Sequence, residues 1–235
     1  MRDYIILNGT SSQTISGLLI QNLPPISKPK QRVEVEEIDG RDGDIITYLG
    51  YGAYDKEFEI GLYGSFDIDE IISYFNSEGT VIFSNEPDKY YNYQIIEQID
   101  FDKLIRYRTA TVKMHMQPFK YSAEDNQKVF SNTGGETSIS IRNVGNIYSR
   151  PIITITGSGS IDLYLNGNQL FSINMGNYTS ITIDTNLMNA YNGSTLLNRN
   201  VTGSYDNFKL NVGNNTISWS GTITQIEIDN YSRWI

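Results

Sequence analysis

The 235 residues contain no cysteine. Disulfide staples and thiolate metal sites are therefore excluded, and the chain suits synthesis in a reducing compartment. Histidine is nearly absent as well, His115 being the one imidazole. A zinc centre takes three or four protein ligands, which one histidine without cysteine does not supply. A serine triad would need His115 near a Gly-x-Ser-x-Gly elbow, and the chain has none. Its place between Met114 and Met116 reads instead as a strand position. Basic excess is lacking too: 18 Lys+Arg against 27 Asp+Glu leave a net charge of −9. No basic stripe is available for nucleic acid, and no Lys/Arg cluster for an anionic membrane. No apolar run approaches the roughly 20 residues of a spanning helix, and residues 1–9 are too short an apolar start for a signal peptide. The Asn-x-Ser/Thr triplets at 177–179 and 192–194 are accordingly expected to be turns. Gly157-Ser158-Gly159-Ser160 lacks the Gly-Lys-Ser/Thr ending of a phosphate loop and the helix that should follow. Nothing in the chain points to an enzyme, a metal or a cofactor.

What is present is enough for packed cores: 39% apolar and 12% aromatic residues, over a length that suits one large or two ordinary domains. Composition changes near residue 122. Residues 1–121 hold 12 Lys+Arg and 19 Asp+Glu, whereas 122–235 hold 6 and 8. The second half has 18 asparagines against 5 in the first. The shift predicts domains at 1–122 and 123–235, with residues 122–127 as linker. No internal repeat stands out.

In the first half, 4–7 and 15–23 read as short strands, and the proline-bearing stretch 24–29 as an edge or surface crossing. Residues 31–62 carry the clearest pattern. Val33, Val35 and Ile38 alternate with Glu34, Glu36 and Glu37, and a Gly/Asp tip follows at 39–44. After Ile45-Ile46 comes a second alternating run, with Phe58, Ile60 and Leu62 apolar. This predicts two antiparallel strands joined by a long loop. One helix is expected at 67–77, where Ile68, Ile71, Ile72 and Phe75 fall at helical spacing and Gly79 could cap the end. A buried strand at 80–84, a turn at 85–88, and a hairpin of 90–101 with 105–116 complete the domain. The second half predicts no helix. Short β-like runs at 137–142, 151–157, 161–165, 169–173, 179–183, 208–210, 215–219 and 222–228 are separated by Gly and Asn-Gly turns, as in a sandwich or jelly roll. The whole is mainly β.

Two constellations invite chemistry. Asp39, Asp42 and Asp44 crowd one tip, but they miss the spacing of a calcium loop and read as a solvated turn. Glu34 and Glu36 share a strand face with no pocket to desolvate them. Seventeen tyrosines and two tryptophans raise saccharide stacking, with Tyr178, Tyr191, Tyr205 and Trp219 as candidates. The competing expectation is that Trp219, alternating with Ile217, packs inward, and that the tyrosines serve protein contacts.

The 31–62 stretch, with Gly40-Arg41-Asp42-Gly43 at its tip, resembles the hairpin of the distal tail proteins of long-tailed (siphovirus) bacteriophages. Further stretches are similar in the same order: Phe83-Ser84-Asn85-Glu86-Pro87 with Tyr90-Tyr91; Tyr107-Arg108 through Met116-Gln117-Pro118-Phe119-Lys120-Tyr121; Asn143-Val144-Gly145-Asn146 with Arg150-Pro151; and Asn211-Val212-Gly213-Asn214-Asn215 running to Trp219. The resemblance implies a tail-tube-like first domain, a β-sandwich or split barrel that closes as a homo-hexamer. It implies a galectin-like or carbohydrate-module-like second domain. The ring would join the tail-tube protein to the tail-associated lysin or baseplate proteins and leave a channel through which DNA passes without specific binding. Such a protein is made in the bacterial host cytoplasm and resides in the virion tail tip, with no membrane and no cofactor. Val33, Val35, Ile38, Asp39, Gly40, Arg41, Asp42, Gly43, Ile45 and Phe58 are the expected subunit contact, because an exposed two-strand arm is marginal alone and its edges seek another chain. The alternative function is a carbohydrate-binding, receptor-recognising module.

Overall fold

The computed structural model describes residues 2–124, 128–132 and 135–235. The chain divides into two compact units, Met1–Ala123 together with Ile235, and Glu124–Trp234. Each has its own hydrophobic core. Residues 125–127 of the expected linker lie outside the described residues, and Ser122 still belongs to a strand.

The first unit contains β1 (Ile5–Leu7), β2 (Thr10–Ser11), β3 (Leu18–Ile20), β4 (Gln31–Glu37), β5 (Asp44–Tyr51), β6 (Tyr54–Leu62), α1 (Ile68–Tyr74), β7 (Glu78–Phe83), β8 (Lys89–Gln94), α2 (Phe101–Tyr107) and β9 (Thr109–Ser122). One antiparallel sheet runs β2-β1-β7-β8-β9-β6-β3. Alternation decides its faces. Phe58 and Ile60 on β6 are buried opposite Val112 and Ala110 of β9, while the intervening Glu57 and Glu59 are exposed. Each such large side chain contributes roughly 1.5–3 kcal/mol by leaving water.

The sheet carries two short helices where the sequence predicted one. In α1 the Asp67 carboxylate accepts from the amides of Asp69 and Glu70, filling orphan donors of the first turn. Ile71 and Tyr74 face the core, and Ile72, assigned to the apolar stripe, is exposed. The helix stops before Gly79, whose requirement for glycine is different. A Cβ there would lie 1.9 Å from Oδ1 of Asn8, whose carboxamide accepts from Thr80 N and donates to Glu78 O. The second helix, α2, occupies part of the stretch expected as a hairpin. Asp100 caps it by accepting from Lys103 N at 2.8 Å, Leu104 anchors it in the core, and Arg108 ends it in the left-handed region at φ 63°.

The second unit contains β10 (Lys128–Ser131), β11 (Ser138–Asn143), β12 (Ile152–Leu165), β13 (Asn168–Asn174), β14 (Ser180–Asp184), β15 (Asn189–Asn192), β16 (Thr195–Leu196), β17 (Val201–Gly203), β18 (Gly213–Asp229) and β19 (Arg233–Trp234). β12 and β18 pair along most of their lengths and form its spine. Runs expected as separate strands on either side of Gly157 and Gly221 are single long strands that bend there. A Cβ at Gly157 would meet Thr222 O at 2.2 Å, and one at Gly221 would meet Ser160 O at 2.3 Å. The bend folds one ladder into two layers. One half of the spine pairs with β10 and β14, the other with β11 and β13. Their inward isoleucines and leucines meet in one cluster. The asparagine enrichment has a structural explanation, since a carboxamide both donates and accepts. Buried Asn143 donates to Ile147 O and Leu210 O and accepts from Gly145 N. Asn215 and Asn230 fasten neighbouring turns in the same way.

Candidate functional site

Among the described residues, β4 and β5 pair with each other and with no other strand. They form an arm whose two faces differ. Val33 stands opposite Tyr48 and Val35 opposite Ile46, so these four share one face; Glu34, Glu36, Thr47 and Ile45 share the other. The four apolar side chains are 41–66% exposed and form an apolar patch on the arm. Leu49 is the extra residue of a bulge, because Arg32 pairs with Gly50 but Val33 with Tyr48. At the tip, Arg41 N donates to Ile38 O at 3.1 Å. Gly40 (φ 80°) and Gly43 (φ 78°) take conformations that favour glycine, and open space surrounds both.

The root of the arm is tied down. Gly52 N donates to Lys30 O at 2.8 Å, and Tyr51 meets Phe119 of β9 edge-on at 5.6 Å. The preceding crossing is held by buried Lys56, whose Nζ donates to Pro25 O at 2.6 Å, and by Asn85, which donates to Pro24 O at 3.2 Å. Lys56 lies over the rings of Tyr54 and Tyr91 at 5.7 and 5.4 Å. Burial lowers its pKa, opposed by the charge of nearby Glu86. Glu86 accepts from the Tyr91 hydroxyl and the Lys120 ammonium, so a buried carboxylate is paired on both sides. Burial first, then the charge of Glu86, pushes the Tyr54 hydroxyl up to about 12. The motif pieces Asn85-Glu86, Tyr91 and Lys120, scattered in sequence, thus converge around Lys56 and the crossing that precedes the arm.

The expected contact residues divide. Val33, Val35 and Ile38 lie exposed on the arm, with Asp39, Gly40, Arg41, Asp42 and Gly43 at its tip. Ile45 is on the charged face, half-buried. Phe58 does not belong to the arm: it is 2% exposed in the core, 6.2 Å edge-on from Phe83. The partner of β4 is therefore β5 and not the run beginning at Tyr54, which the main sheet claims. Ile46 and Tyr48, absent from the expected contact residues, share the exposed face with Val35 and Val33; they alternate about Thr47, the sequence signal of a strand.

The saccharide candidates do not form one exposed platform. Trp219 is 5% exposed and packs edge-on against Phe130, which leaves no ring face for a sugar. Tyr205 packs on Phe171 at 5.2 Å, and its buried hydroxyl has no hydrogen-bond partner among the described residues. Tyr178 precedes β14, and Tyr191 lies on β15 opposite Thr182.

No protein-family model matches the chain, and no curated protein does. Among solved structures the fold is similar to those of phage hub and baseplate proteins. The similarity is to the Dit protein of phage SPP1, whose crystal structure is described as a paradigm of the hub adsorption apparatus in phages infecting Gram-positive bacteria. It covers 97% of this chain and 99% of that one at 15% identity, with a TM-score of 0.65. A chain of the phage P2 baseplate, in its activated conformation with calcium, matches over 97% of both chains at 12% identity, with a TM-score of 0.51. Fold, and not sequence, carries this likeness.

Proposed function

We propose that this chain is a non-catalytic building block of a phage tail tip, a hub whose first unit closes into a hexameric ring. The ring would join the tail tube to the baseplate or tail-associated lysin and leave a passage for DNA. The observation that carries this reading is the β4–β5 arm: a ribbon that among the described residues is bound to no other strand, with an exposed apolar face, on a fold similar to that of a phage hub protein over nearly its full length. An isolated two-strand ribbon gains stability by lying on another surface, and head-to-tail contact between identical copies closes into a ring when the rotation closes. In this reading the arm lies across the neighbouring copy. Six copies at −9 each carry −54 formally, and a lumen of that sign would let DNA slide without adhering.

The test removes the arm. Residues 32–50 are replaced by Gly-Gly, which joins the terminal Gln31–Tyr51 pair as a tight hairpin. Native mass spectrometry should show six-copy rings for the intact chain and single copies for the variant; rings that persist unchanged refute the reading.

Unit 2 supports a second reading, saccharide recognition, on one observation. A polar hollow of about 520 Å³ is flanked by Asn168, Asn207 and Asn211, whose carboxamides have no hydrogen-bond partner within the chain among the described residues. A saccharide titration that shifts the amide resonances of these three residues would favour it.

A further inference from the structure

Charge is sorted along the arm. Its root carries Lys28, Lys30 and Arg32, its outer part Glu34, Glu36 and Glu37, and its tip Asp39, Asp42 and Asp44 with Arg41. Among the described residues, none of these carboxylates and neither root lysine takes part in an ion pair or side-chain hydrogen bond within the chain. Elsewhere in the unit exposed carboxylates do find cations, as Asp55 and Glu97 find Lys113. Each end of the arm also exposes one isoleucine, Ile26 at the root (59%) and Ile38 at the tip (42%). The tip cannot satisfy its own root. Seven residues of β4 separate them, roughly 23 Å at about 3.3 Å per residue, in a paired strand that does not fold back.

We infer that the acidic tip of one copy seats on the basic root of the next, Ile38 against Ile26, with Glu36, Glu37 and Asp39 facing Lys28 and Lys30. This rests on the ring reading above and adds the place where each arm ends. One chain presents both complementary patches at opposite ends of one element, as a heterologous contact requires. It also gives acidic side chains of the arm, which take part in no ion pair among the described residues, cationic partners. The contact is electrostatic and exposed at its rim, so salt weakens it.

The chain's lack of cysteine makes the test clean. The Ile26→Cys, Ile38→Cys double variant of the full chain is treated with a short bismaleimide and run under denaturing conditions. A ladder of covalent oligomers ending at the ring number is expected, and each single variant should yield no ladder. Undiminished assembly by native mass without a ladder overturns the tip-to-root contact and leaves the ring reading standing. An unmodified chain that never assembles overturns both. In a parallel arm, Lys28→Glu with Lys30→Glu should raise the concentration for half-assembly at least tenfold. Adding Glu36→Lys and Glu37→Lys should restore it, and failure of that restoration also overturns the contact.

Discussion

Val35 faces Ile46 directly across the arm, and both stand about half exposed on a ribbon that pairs with nothing else among the described residues. Inside a core such a pair would serve stability. Here it is available to another chain.

Replacing Val35 or Ile46 with aspartate should therefore abolish assembly without unfolding the protein. Surface substitutions of this kind change stability by about 0.5 kcal/mol or less, so the melting temperature of the dissociated chain should stay put while the multimer disappears from size-exclusion light scattering. A parallel fall in melting temperature would place the pair in the fold's own packing.

Phe58 is the counterexample within the same stretch. Packed against Phe83 and paired with Val112, it should cost about 3–5 kcal/mol on truncation to alanine, measured by urea unfolding. Val35→Ala should cost almost nothing by the same assay. Equal costs would contradict the division between arm and core.

Alkaline pH should loosen the first unit. Burial raises the hydroxyl pKa values of Tyr54, to about 12, and of Tyr74 and Tyr91, where the bond to Glu86 adds to the effect. Folded values above the unfolded value of about 10 mean that stability is fully present below about pH 10 and is lost as pH rises toward 12. Lys56 runs the other way, its lowered value favouring the folded state as pH climbs toward the ordinary lysine range. Three tyrosines outweigh it. Urea midpoints should fall between pH 10 and 11.5, less steeply in Tyr54→Phe; a flat profile would contradict the burial of these hydroxyls.

In the second unit, Gly157→Val should cost about 1–3 kcal/mol through overpacking. Its side chain would enter the space of the Thr222 carbonyl and force β12 from β18 at the bend. Differential scanning calorimetry should show the transition of this unit lowered. An unchanged transition would mean the bend is not close-packed.

The β character and the arm's first strand were legible in the sequence, because Val33 and Val35 alternate with glutamates. The partner strand was misread, since Phe58, Ile60 and Leu62 alternate more cleanly than Ile46 and Tyr48 do between glycines. Alternation cannot tell a core strand from an exposed one, and here the clearer pattern belonged to the core. The second helix was hidden for a related reason: Ile105 and Tyr107 alternate with Arg106 and Arg108, and Leu104 is its one buried residue. Glycines at 157 and 221 read as turns because composition does not distinguish a chain reversal from a bend within a long strand. The family-like motifs turned out to be fasteners. Glu86 joins Tyr91 and Lys120 beneath the crossing that precedes the arm, and Asn143 and Asn215 hold turns of the second unit. Spacing along the chain gave no hint of those meetings.

The most direct test of ring closure is the mass of the unmodified chain in solution by sedimentation equilibrium at low salt. A discrete species of six chain masses, dissociating as salt rises, is the predicted result. A single-chain mass at every concentration and salt would contradict the account.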